Sequence, residues 1–170
     1  NEAKMTDPSL IIYHPVRRTE RGLIVTNGDQ TDTIRDGHGF VAALRTRTFE
    51  PDAPNWTPRV SGLMQPCGSH LLSILRAQGG KPDCCERFFY TYDAATPGVG
   101  HFISTYEGFG SPLPSYHGEP VAAQVPDMDA RALAQAVWDA LDKDNRVSLY
   151  VCVDGNEVII NKHGGEDETK

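Results

Sequence analysis

Leu23-Ile24-Val25-Thr26, followed by Asn27-Gly28-Asp29-Gln30-Thr31-Asp32-Thr33, is the stretch on which the reading of this chain turns. An apolar, β-type run gives way to seven residues that are all polar or glycine, and a helical pattern follows. A connection of about two to five residues would satisfy geometry alone. Asn, Asp and Thr bond readily to nearby backbone, so an elaborate capped turn is one reading. The other is a ligand-binding loop, since two carboxylates, two hydroxyls and two amides meet at a strand end.

Bulk properties narrow the options. A chain of 170 residues suggests one domain with a sizeable core. Hydrophobic residues make up 39% and charged residues 23%, the composition of a soluble globular protein. No apolar run approaches membrane-spanning length, so no membrane partner is expected. A net charge of -7 argues against sequence-independent binding to nucleic acid. Charge is uneven, with a balance of +1 over residues 1–87 and -8 over residues 88–170. Nine of the eleven arginines fall in the first part, where a small anionic ligand would find bidentate partners. Cysteines at 67, 84, 85 and 152 form no secreted disulfide pattern, so reduced thiols in a cytoplasmic protein are expected. Cys67, His70 and the Cys84-Cys85 pair lack a C-x-x-C, and no metal is expected.

Along the chain, Leu10–Tyr13 and Gly22–Thr26 read as strands joined through Arg17–Arg21 as a hairpin. Phe40–Arg45 reads as a helix, and Phe49–Trp56, with two prolines, as a loop whose Phe and Trp either cover a pocket or pin it to the body. Strands are expected from Pro58, at His70–Leu75, Arg87–Tyr92 and His101–Tyr106, with a loop over Pro97–Gly100. Gly108–Pro120 contains three glycines and three prolines, which disfavours a regular element. Met128–Leu141 reads as a helix with Ala130, Leu133, Val137 and Leu141 on one face and Asp127 or Asp129 as its cap. Ser148–Val153 and Glu157–Ile160 flank Asp154-Gly155, a strong hairpin signal. Many strands and few helices predict an α+β protein with mostly antiparallel sheet.

Four segments in this order resemble the archaeal-type IMP cyclohydrolase family: Tyr13-His14-Pro15-Val16-Arg17, the Asn27–Thr33 loop, Thr57-Pro58-Arg59-Val60-Ser61-Gly62, and Thr105-Tyr106-Glu107. Arg45 through Asn55 resembles the bacterial branch, as does the Gly- and Pro-rich stretch after Glu107. The similarity runs from about Pro8 to His163. It implies a four-layer αββα sandwich like that of N-terminal-nucleophile hydrolases. Asn1 offers no terminal nucleophile. It also implies a single domain over residues 1–170, and an Arg- and Ser-rich N-terminal strand region, with an active-site arginine, that nothing here matches. The implied activity is the last step of purine synthesis, the dehydrative closure of 5-formamidoimidazole-4-carboxamide ribonucleotide to inosine monophosphate. The implied partner is thus a small purine nucleotide.

Closure needs a carboxamide nitrogen to attack a formyl carbon and the adduct to lose water, so a carboxyl group held near neutrality could serve both steps. Glu107, just past an apolar strand, is the candidate, with partial burial expected to raise its pKa. Tyr106 and Tyr13 could donate to the oxyanion, stack on the imidazole, or simply belong to the core. Asn27, Asp29 and Thr31 are candidates for holding the substrate, with Asp32 as a helix cap. Arg59, stiffened by Pro58, suits a phosphate or carbonyl clamp, with Arg17 and Arg18 as alternatives that could equally form a hairpin rim. No cofactor is expected, because the substrate supplies its own leaving group, and proximity contributes because both reacting groups already lie on one ring. Two further readings stay open: an amide hydrolase using Cys67 or Ser69 with His70, and a nucleotide-binding module without turnover. Oligomeric state is not legible, a homo-oligomer included.

Overall fold

A computed structural model describes residues 12–94 and 96–163. The chain forms two compact units, Asn1–Ala123 and Gln124–Lys170. Sheets are mostly antiparallel and helices few, in agreement with an α+β reading. Leu10 and Ile11 of the expected first strand lie outside the described residues.

The first unit is built on a five-stranded sheet in the order β1-β2-β3-β4-β5. Its strands are β1 (Val16–Thr19), β2 (Gly22–Thr26), β3 (Arg59–Met64), β4 (His70–Ala77) and β5 (Cys85–Tyr92). The hairpin is present but shorter than expected. Arg17 and Arg18 are strand residues, leaving Glu20-Arg21 as the turn. Gly22 makes that turn feasible: its φ is +132°, and a Cβ there would meet the Met64 carbonyl oxygen at 2.0 Å.

Between β2 and β3 lie α1 (Gln30–Asp36) and α2 (Phe40–Leu44). Four of the seven residues of the polar stretch, Gln30–Thr33, are therefore the first turn of α1 rather than loop. Ion pairs hold Asp32 within that turn, with Arg35 at 2.8 Å and Arg17 at 3.6 Å, so it is not the expected cap. At the other end, Arg21 donates to the carbonyls of Ile34, Arg35 and Gly37 at 2.7–3.0 Å, satisfying the open end of α1. Strand alternation puts Ile24, Leu63 and Leu75 on the face that meets Ile34, Phe40 and Leu44, and this cluster is the core.

Further along, β6 (Val99–Phe102) pairs with β7 (Val121–Gln124), a strand the sequence did not reveal. The strand expected over His101–Tyr106 stops at Phe102, and Val99-Gly100 is strand rather than loop. Beyond it lies an isolated bridge between Tyr106 and Ser115. The second unit lays α3 (Ala130–Ala140) on the hairpin of β8 (Ser148–Val153) and β9 (Asn156–Asn161). Asp129 caps α3 by accepting from Ala132 N at 2.8 Å. The buried face is Ala130, Ala134 and Trp138, a rotation from the expected stripe that leaves Leu141 40% exposed. Asp154 and Gly155 both take positive φ, 49° and 82°, as a type I′ turn requires. Among the described residues no helix is long and apolar enough to cross a membrane.

Leu44 is fully buried at the centre of the first unit's core. Leu44→Ala is expected to lower unfolding stability by about 2–5 kcal/mol, read as a reduced denaturant midpoint.

Candidate functional site

The end of β2, the start of α1, the loop before β3 and the first residue of β3 converge on a set of charged side chains. Asp29 is their hub. Arg47 Nη2 lies 2.6 and 2.5 Å from its two carboxylate oxygens, and Arg59 Nη1 lies 2.5 Å from Oδ1. Asp29 occupies the N-cap position of α1 but makes no capping bond, because both oxygens serve the guanidinium groups. Arg59 is only 4% exposed, and its Nη1 also donates to Gln30 Oε1 at 2.7 Å and faces Glu50 Oε1 at 3.6 Å. A buried guanidinium is tolerable only with such partners.

Gly28 is the space these groups share. A Cβ there would come within 2.5 Å of Gln30 Oε1, 2.6 Å of Arg59 Nη1 and 2.8 Å of Glu50 Oε1. Glycine is required for close approach of side chains rather than for an unusual φ.

Sequence reasoning missed Glu50, because it stands in a proline-rich loop with no period. It is 7% exposed, and burial pushes its carboxyl above the ordinary glutamate range, with Arg59 opposing the shift. Two tyrosines from distant segments sense it. Burial, then the charge of Glu50, raises the pKa of Tyr13. Tyr106 is raised by burial, with Asp52 and Glu50 adding to the effect. Asp52 belongs to the same loop and accepts from Thr57 N at 2.7 Å and Thr57 Oγ1 at 2.5 Å. Thr57 Oγ1 in turn meets the Tyr106 hydroxyl at 2.6 Å. Phe49 and Trp56, 5.9 Å apart edge to face, pin this loop as expected.

Arg59 thus joins Asp29 to Glu50, and Tyr13 and Tyr106 lie within reach of the Glu50 charge. Asn27 and Thr31 lie beside them as framework. Asn27 Oδ1 accepts from Val60 N and Gln30 Nε2 at 2.9 and 3.1 Å, while its Nδ2 donates to Pro58 O and Thr105 Oγ1 at 2.9 and 3.2 Å. Thr31 is fully buried and donates to Gly28 O at 2.9 Å. Arg17 is held on Asp32.

Glu107 requires a correction. It is exposed rather than partly buried, because the strand before it ends at Phe102, and its carboxylate accepts from His117 N at 3.0 Å and faces His117 Nδ1 at 3.4 Å.

The dyad of an amide hydrolase is not assembled. Cys67 Sγ lies 3.0 Å from Ser69 Oγ, and His70 Nε2 is bonded to His101 Nδ1 at 3.0 Å. A cavity of about 270 Å³ bordered by His70, Tyr92, Asp93 and His101 contains none of the grouped residues. Among the described residues, no three His, Cys, Asp or Glu side chains converge as a metal site.

Two outcomes follow from this geometry. Gly28→Ala should displace Arg59 or Glu50 and lower the melting temperature, measured by calorimetry. Glu50 holds its proton more tightly folded than unfolded, so the unfolded chain loses its proton first as pH rises. Its contribution to stability is therefore greatest at low pH and falls as pH climbs through and above the ordinary glutamate range. Glu50→Gln should remove that fall and raise the melting temperature at neutral pH.

Comparison with known proteins gives one match: the family described as IMP cyclohydrolase-like protein, over residues 1–157. No curated protein and no solved structure matches the chain. The family match covers far more than half of the 170 residues, and the chain belongs to the IMP cyclohydrolase-like protein family.

Proposed function

We propose that this chain is an IMP cyclohydrolase that closes 5-formamidoimidazole-4-carboxamide ribonucleotide to inosine monophosphate with loss of water. The observation that carries the reading is the buried carboxyl of Glu50, pushed above the ordinary glutamate range beside an arginine–aspartate frame, with Tyr13 and Tyr106 within reach of its charge. A protonated carboxyl is what the formyl oxygen needs when the carboxamide nitrogen attacks. We assign that acid to Glu50 in place of Glu107, whose carboxylate is exposed on His117. Tyr13 flanks the heterocycle. Arg47 and Arg59 hold Asp29, and Arg59 also faces Glu50, so one frame fixes both carboxyl groups. The αββα arrangement implied by the family resemblance, and a cytoplasmic setting, belong to the same proposal.

Incubating the protein with the formamido ribonucleotide and separating products by chromatography tests it. Inosine monophosphate should accumulate, and Glu50→Gln should lower kcat by about 10²-fold or more while nucleotide affinity persists. Glu107→Gln run beside it assigns the acid. Loss confined to the Glu107 variant overturns the assignment. Binding of inosine monophosphate without turnover by the native chain favours a nucleotide-binding module instead.

A further inference from the structure

We propose that Asp52, Thr57 and Tyr106 form a directed proton relay, which takes the proton from the attacking carboxamide nitrogen and later returns it to the departing oxygen. The relay rests on the cyclohydrolase reading of the site. Its direction follows from counting hydrogens. The Asp52 carboxylate accepts twice from Thr57, from the backbone N–H at 2.7 Å and from the hydroxyl at 2.5 Å. A threonine hydroxyl has a single proton, and here it is committed to Asp52. Tyr106, 2.6 Å from the same oxygen, must therefore be the donor in that contact. Its phenolic oxygen is left as an acceptor. Resting Tyr106 is thus set to receive a proton, rather than to donate to an oxyanion.

The balance is closed. The carboxamide nitrogen bonds to the formyl carbon, and the carbonyl pair moves to oxygen, which takes the Glu50 proton. As the nitrogen's proton reaches the Tyr106 oxygen, the Tyr106 proton passes to Thr57 and the Thr57 proton to Asp52. No tyrosinate forms at any stage. Burial, which raises the pKa of Tyr106, makes such an ion costly. In the second step the carbon–oxygen bond breaks and the hydroxyl leaves as water with the proton returned through Thr57 and Tyr106. The former formamide N–H gives its proton to the Glu50 carboxylate. Both carboxyl groups end in their starting states. Glu50 and Asp52 suit these opposite roles, since one is buried with its carboxyl pushed above the ordinary glutamate range and the other is held by two donors.

Asp52 and Thr57 act through Tyr106 and are positioning residues, so the test needs more than a rate. Thr57→Val should lower kcat at least about tenfold with KM nearly unchanged, and Thr57→Ser should restore most of the loss. A proton inventory of kcat in mixed light and heavy water should be curved for the native chain and straight for Thr57→Val. Should Thr57→Val fail to fold, Tyr106→Phe, which leaves Thr57 on Asp52, takes its place with the same expectation. Native turnover with an unaltered kcat in these variants, or a curved inventory that survives them, overturns the relay alone. A native chain that produces no inosine monophosphate overturns the cyclohydrolase reading and the relay together.

Discussion

One carboxylate between two guanidinium groups sets the rest of the site in place. Arg59 begins β3 with almost no contact with water, and burying that charge unpaired would cost several kcal/mol. Asp29 neutralises it at 2.5 Å and is itself gripped by Arg47. The arrangement works only because Asp29 gives up helix capping and Gly28 gives up a side chain. Local preferences are sacrificed around one buried charge, the pattern expected where function rather than folding sets the sequence.

That frame also explains how neighbouring carboxyl groups differ. Asp29 is neutralised by arginines, Asp52 is held by an amide and a hydroxyl, and Glu50 is buried with Arg59 Nη1 only at 3.6 Å. Environment, not residue type, distinguishes these carboxyl groups. The same loop supplies Glu50 and Asp52, so a few residues carry both.

Much of the scaffold was legible in advance. β2, β4 and β8 with its Asp-Gly hairpin follow from apolar runs bounded by turn residues, and α3 from its period. β7 was not, because Val121–Gln124 is exposed at every position and carries no alternation. The Asn27–Asp29 loop and Arg59 stood out as polar or stiffened residues at strand ends. Glu50, Asp52 and Arg47 did not, because an irregular loop has no period from which to infer which side chains turn inward. The acidic pair, two residues apart between aromatic pins, is the signal that was available. Glu107 is exposed where burial was expected, because the strand that would have covered it ends early at Phe102.

Asn27 has one last consequence. Its amide is tied to the entrance of β3, to α1 and to Thr105, which lies far along the chain. Four contacts through one side chain leave that corner no cheap way to fray on its own. Exchange of the Val60 backbone hydrogen with solvent should then follow cooperative opening of the sheet rather than local fraying of its edge.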